Sequence, residues 1–309
     1  MRKLEKFIKQ TQKDLFGKLL NMFSGQAIFC KEHFILVKGA APILLVAHLD
    51  TVHKHPVKNI CTSADDNILM SPQGIGGDDR CGVYALVNAY ESSAIKPYLL
   101  FTCNEEVGGV GAKTFVKCLD KLPPELSNLK CIVEPDRKGS RDAVYYDCDN
   151  PNFEKYITSK GFETAQGSFS DISVIAPALG VAAVNLSSGY YNAHTLHEYI
   201  NRKELNSTLA KVIEIVSDSA RQDFPRYEYI EKKLSNLPAS HYDYWDFEEL
   251  PIPKDLPVEY QEFYTALLDI YPIEQLEEWR KIYGDKIISE VYIEEFAPFY
   301  LDSYQSSHE

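Results

Sequence analysis

The 309-residue chain carries 45 acidic against 32 basic residues, a formal net charge of −13, and 45% of its residues are hydrophobic, so it has apolar material for one large core or two smaller ones. Lys and Arg form no run longer than fragments such as EKK and DRK, which excludes the basic stripe that grips a phosphate backbone and, with it, nucleic acid as a partner. The longest apolar stretches, AAPILLVAHL and YLLFTC, fall far short of the about 20 residues needed to cross a bilayer. Neither a signal peptide nor a membrane anchor is therefore expected. Seven cysteines lie at 30, 61, 81, 103, 118, 131 and 148 with no C-x-x-C pair, the pattern of reduced thiols in a cytoplasmic protein. They are expected to act as small buried hydrophobes.

Leu4, Phe7, Ile8, Leu15, Leu19 and Leu20 recur at helical spacing and predict a helix over about residues 2 to 22. FILVKG and PILLVAHL, bounded by Gly and Pro, read as buried strands. GVYALVNAYESS then reads as a helix, PYLLFTCNEE as a strand, GAKTFVKCL as a helix and LKCIVEPD as a strand. AVYYDC, a helix near PNFEKYITSKG, another from about Ser170, the strand VAAVNLSSG and the helix RKELNSTLAKVIEIVSDSARQ continue the alternation. Near-continuous apolar strands alternating with helices predict a three-layer α/β/α sandwich around a mixed, mostly parallel sheet. Ligands of such sheets collect beyond the carboxyl ends of the strands.

From about Asp223 the composition turns acidic, tyrosine-rich and proline-punctuated. We therefore divide the chain into an α/β domain, 1–222, and a mainly helical C-terminal extension, 223–309. The spacing of Tyr264, Leu267 and Leu268, then Leu276, Trp279 and Ile282, predicts short amphipathic helices there.

The polar clusters fall at or after successive strand ends. VAHLDTV places His48 and Asp50 two apart, on one side of a strand, where Asp50 can hold the second imidazole nitrogen. GIGGDDRCG offers Asp78 in a glycine-flanked loop before a helix, FTCNEEVGG the adjacent Glu105 and Glu106, IVEPDRKG Asp136, and YNAHTLHEYI His194. Two imidazoles and three carboxylates are donors that bind zinc. Gathered at one end of a sheet, such acidic groups would repel one another without cations between them.

The ordered set H-x-D, G-G-D-D, E-E, a strand-end Asp and H-T-x-x-E resembles the co-catalytic zinc exopeptidases, which include peptidase T, carboxypeptidase-type amidohydrolases and glutamyl aminopeptidase-like enzymes. The resemblance covers about residues 40 to 220, and AHLDTV with CNEEVGGVGA is its most specific part. It implies two divalent ions, zinc with cobalt or manganese as substitutes, about 3.5–4 Å apart and sharing an activated water. His48 and Asp136 would hold one ion, Glu106 and His194 the other, and Asp78 would bridge them. Glu105 would be the general base, with Asp50 orienting His48. Glu134 is the alternative to Asp136 on that strand. The peptide bond after the bridging Asp is often cis in that family, so the Asp78–Asp79 bond is expected to be cis.

The stretch from Asp136 to His194 is too short for the lid domain that many peptidase T-type relatives carry between these ligands. Arg137, Lys138 and Arg141, His53 and His55 are read as solvated loop residues, and Ser170 with Asp171 as a helix-capping pair. His197 and Glu198 are placed beside the ligand His194. Tyr190 and Tyr191 either contact substrate or pack.

The expected activity is that of an aminopeptidase or dipeptidase on small peptides, with oligomerisation left open. Hydrolysis of an N-acylated amino acid would use the same metals and base. A metal-binding scaffold that had lost catalysis would have no need of Glu105 beside a ligand.

Overall fold

The helix expected over residues 2 to 22 is two. In the computed structural model, α1 (Glu5–Ile8) and α2 (Gln12–Met22) are separated because Thr11 is extended and its hydroxyl accepts from the Asp14 amide, an N-cap that starts a helix afresh. The structure describes residues 3–232 without interruption, then 253, 255–257, 260, 264, 267 and 273–296, the last five as backbone only. The chain divides into two units, 1–233 and 234–309.

In the first unit α1 and α2 are followed by β1 (Ala27–Cys30), β2 (Phe34–Val37), β3 (Ala41–His48), β4 (Cys61–Thr62), β5 (Ile68–Met70) and α3 (Gly77–Ser92). Next come β6 (Pro97–Thr102), α4 (Val110–Lys117), β7 (Cys131–Arg137), β8 (Asp142–Val144), α5 (Pro151–Ser159), β9 (Glu163–Thr164) and α6 (Asp171–Leu179). β10 (Ala183–Ser187), β11 (Tyr190–Tyr191), β12 (Tyr199–Asn201) and α7 (Arg202–Ser219) complete the unit. Eight strands form one sheet in the order β1-β2-β6-β3-β7-β10-β8-β9, parallel from β6 through β10. β11, β12, β5 and β4 make a second, small antiparallel sheet. The small sheet does not stand out in the sequence, since its strands are only two or three residues long, and β1, as short as β2, lacks the fully buried apolar run that marks β2.

The near-continuous apolar strands are explained by two cores. Ile35, Val37, Ile43, Leu45, Leu99, Phe101 and Val133 pack with helices α2, α3, α5 and α7 on one face. Their alternate neighbours Phe34, Leu36, Leu44, Val46, Leu100 and Ile132 pack with α4 and α6 on the other. Each strand thus serves both faces with its two-residue period, giving the expected three layers. Residues just past α7 return to this unit, where Phe224 and Tyr227 join the first core and Glu228 bridges to Val181.

In the second unit, α8 (Ile273–Tyr283) and α9 (Lys286–Phe296) pair. Leu256, Tyr264, Leu267, Leu276 and Ile288 form a small core, and Arg280 links Glu277 and Asp285. Leu268 lies outside the described residues, and Ile282 is exposed rather than buried. Among the described residues no helix is long and apolar enough to cross a membrane. Of the cysteines, 81, 103, 131 and 148 are buried as expected, whereas Cys61 is exposed on the short β4.

Candidate metal centre

Register sets the site. β3 pairs with β7 in parallel with Leu45 opposite Val133, so three residues further His48, the last of β3, reaches the level of Asp136. Both are even-numbered members of strands whose even positions face α4 and α6. The other residues come from loops at this end. Gly76 (φ 63°) and Gly77 allow the chain to enter α3 against Tyr190, Ile200 and Glu198, where a side chain on Gly77 would collide. Asp78 and Asp79 follow with non-helical dihedrals, and the peptide bond between them is cis, as expected. Asn104 (φ 60°) turns the chain out of β6 into Glu105 and Glu106, and His194 (φ 64°) lies three residues past β11.

The sequence-predicted residues meet around Asp78. Its Oδ1 lies 3.0 Å from His48 Nε2 and its Oδ2 3.3 Å from His194 Nε2. Asp136 Oδ1 is 3.6 Å from the same nitrogen of His48, and Glu106 Oε2 is 3.2 Å from that of His194. Each oxygen of a central carboxylate thus faces one imidazole, and each imidazole nitrogen has a second carboxylate of its own. On the far side of His48, Asp50 Oδ1 is 3.3 Å from Nδ1. The two Asp50 oxygens also accept the amides of Glu105 (3.1 Å) and Glu106 (3.0 Å), tying the H-x-D and E-E loops together.

Charge makes the cluster costly on its own. Burial pushes the carboxyls of Asp79, Glu134 and Asp136 well above their ordinary range, and neighbouring carboxylates push them further. Burial also raises Glu105, to about 8, with the charges of Asp171, Glu106 and Glu134 adding to it. His194 is raised to about 11 by its contacts with Asp78 and Glu106. Burial alone would lower His48, but Asp136, Asp50 and Asp78 outweigh it and raise it well above the usual value. Asp78, although buried, is held low by His194 and His48.

Divalent cations fit such a set. Donor atoms of His48, Asp78 and Glu106 lie within 4.8 Å of one another, as do those of His48, Asp79 and Asp136. Glu106 Oε1 is buried without a hydrogen-bond partner. Asp79 is the weaker donor of the second group, because its oxygens accept the amides of Gly82 (2.7 Å) and His48 (3.3 Å). Glu134, one pleat deeper on β7 than Asp136, takes a hydrogen bond from Ser170 instead and is fully buried.

Several neighbours differ from their expected roles. His53 is not a solvated loop residue: its side chain is 7% exposed and its Nε2 is 2.8 Å from Glu198 Oε2. Glu198, fully buried, also accepts the amides of Gly76 (2.9 Å) and Asp78 (3.0 Å) and so fixes the glycine loop from behind. Ser170 caps α6 together with Ser173, but Asp171 is fully buried and bonded to Thr102, beneath the site rather than at a helix surface. Tyr190 packs, and its hydroxyl donates to the Asp136 carbonyl at 3.2 Å, while Asn185 accepts the Asp136 amide at 3.1 Å. Arg137 and Arg141 pair with Asp142 and Glu163.

Sequence reasoning missed Arg80, Gln12 and Asn104. Arg80 is buried and donates to the carbonyls of Leu49 (2.6 Å) and Gln10 (3.1 Å). A cation directly after two acidic residues, in a glycine-flanked loop otherwise without charge, is the signal that could have drawn attention to it.

No protein-family model and no curated protein matches the chain. Solved structures do resemble it. A tripeptidase from Staphylococcus aureus is 15% identical with a TM-score of 0.53, and the aminopeptidase PepT from Bacillus cereus is 16% identical with a TM-score of 0.54; in each case 71% of this chain aligns with 97% of the other. The TET1 peptidase of Pyrococcus horikoshii, which can assemble into a tetrahedron or a large octahedral shell, is 13% identical with a TM-score of 0.52 over 69% of this chain and 98% of its own. At these identities the likeness is one of fold.

Proposed function

We propose that the chain is a dinuclear metal-dependent hydrolase of peptide bonds, an aminopeptidase or dipeptidase acting on small peptides. The observation that carries this reading is the pair of imidazoles facing different oxygens of Asp78, each with its own second carboxylate. His48 and Asp136 would hold one ion, His194 and Glu106 the other, and Asp78 would bridge. The peptidases of like fold support the same reading.

When held by these residues, the two ions would supply a water of lowered pKa and would polarise the scissile carbonyl. The remaining work falls to side chains. Glu105, beside a ligand, would accept the proton of the attacking water and return it to the leaving amine; its carboxyl is raised to about 8 in the metal-free chain, and bound cations would bring it down into the range where it is ionised. Asp50 holds both the His48 ring and the amides that carry Glu105 and Glu106, so the base and one ligand stay in fixed relation.

Zinc-reconstituted protein is expected to contain two ions per chain and to cleave aminoacyl-anilides or short peptides in preference to N-acyl amino acids. Glu105→Gln should lower turnover by about a thousandfold and keep both ions. A variant that lost its zinc, or wild-type protein that bound none, would overturn the assignment.

A further inference from the structure

We propose that the link between α1 and α2 is a positioning clamp for the catalytic loops, with Gln12 as its main residue; the catalytic part of this inference rests on Glu105 and Glu106 having the roles given above. Gln12, the first residue of α2, is 92 positions from Asn104 in sequence, yet its whole side-chain amide is used there. Its Oε1 accepts the Asn104 amide at 3.0 Å and its Nε2 donates to Asn104 Oδ1 at 3.0 Å. Asn104 immediately precedes Glu105 and stands in the left-handed region at φ 60°, which costs most side chains but which Asn tolerates. The paired bonds therefore hold the one residue whose conformation decides where the E-E pair leaves β6.

The same link reaches the second loop. The Gln10 carbonyl accepts from Arg80 Nη2 at 3.1 Å, and Arg80 Nη1 donates to the carbonyls of Leu49 (2.6 Å) and Asp50 (3.3 Å). Residues 10–12 thus touch the segment before Glu106 directly, through Gln12, and reach the one after His48 through Arg80. The link is itself anchored, since Phe7 of α1 is buried edge-on against Tyr84 of α3 (6.4 Å between centroids) and Glu5 pairs with Arg202. Leu15 and Leu19 anchor α2 in the same core as Phe7. The two bonds from Gln12 add to the turn's own backbone bonds, such as those from the Val110 amide to the Asn104 carbonyl (3.0 Å) and from the Gly111 amide to the Cys103 carbonyl (2.9 Å).

The variants are Gln12→Ala and Asn104→Gly, the latter able to keep a positive φ while losing the Oδ1 acceptor, with the exposed Lys13→Ala on the same helical turn as control. Two readouts are taken on zinc-loaded protein: kinetics, and amide hydrogen exchange of residues 104–109. Gln12→Ala should lower kcat by about ten- to a hundredfold with KM within about threefold and zinc content unchanged. The Glu105 and Glu106 amides should exchange faster while the β3 and β7 amides stay protected. Asn104→Gly should do the same more mildly, and Lys13→Ala should change nothing. If exchange of Glu105 and Glu106 were unaltered in Gln12→Ala, or if kcat fell only with a general loss of protection, the clamp would be refuted. Should the protein hydrolyse nothing, the functional reading fails, and the exchange of the E-E loop still decides whether the clamp exists.

Discussion

Glu198 shows how much a single buried carboxylate organises. It accepts the Gly76 and Asp78 amides and faces His53, so Glu198→Ala would strand two buried donors at about 1–3 kcal/mol each. For a unit of this size the melting temperature is then expected to fall by about 4–24 °C. Zinc affinity should fall about ten- to a hundredfold, because the lost bonds fix Asp78. Glu198→Gln, which keeps one acceptor, should lose less on both counts. Melts and zinc titrations of the two variants check this, and equal behaviour of Glu198→Ala and wild type would remove Glu198 from the site. The sequence makes the donor types legible here and sets Glu198 near His194, but does not show the loop that Glu198 supports. His48, Asp78, Glu106, Asp136 and His194 can be picked out because zinc-binding residue types recur at strand ends. The contact of Glu198 with a loop 120 positions away has no local pattern, and neither does the burial of Asp171 against Thr102.

Elements carry the site through the closeness of their packing. Gly111, in the first turn of α4, lies so near β6 that a Cβ there would sit 2.5 Å from the His33 carbonyl oxygen and 2.6 Å from the Cys103 nitrogen. Both are backbone atoms that cannot swing aside. Gly39 is equally tight against the Pro97 carbonyl carbon, at 2.2 Å, but at the end of the sheet away from His48. Each Gly→Ala change should cost about 1–3 kcal/mol and lower the melting temperature. Only Gly111→Ala should also reduce turnover below the midpoint of its melt, since it displaces the segment that runs from Cys103 into Glu105 and Glu106. Comparable specific activity of the two variants at low temperature would count against this division. The longer elements were readable from their periodicity, β3 and α7 above all. The break at Thr11 was not, because Leu4, Phe7, Ile8, Leu15 and Leu19 are all buried and so keep one helical stripe across two helices. The small sheet of β4, β5, β11 and β12 escaped for a different reason: strands of two or three residues have too few positions to display a two-residue period.

For the molecule as a whole, the site is a concentration of charge that folding alone does not stabilise. In the metal-free chain the carboxyls of Asp79, Glu134, Asp136 and Glu105 titrate above their unfolded values. Their ionisation therefore works against the fold as pH rises from about 4, for Glu105 until about 8. His48 and His194 are also raised, so the stability they contribute is present below about 6.5 and is lost as pH climbs, for His194 through about 11. Asp50 and Asp78 are lowered, so their contribution is already complete above about pH 4 and stays level. Between about pH 5 and pH 8 both changing sets act in one direction, and metal-free protein should lose stability. Bound zinc would reverse the balance, since it would take the deprotonated donors and release their protons. A hundredfold excess of zinc over its dissociation constant adds about 2.7 kcal/mol per site, and that constant itself tightens as pH rises. The gap in melting temperature between zinc-loaded and chelator-treated protein is therefore expected to widen steadily from about pH 5 to about pH 8. Melts in matched buffers measure it directly. A gap that stayed constant or narrowed would mean that the carboxylate cluster is balanced by something other than bound cations.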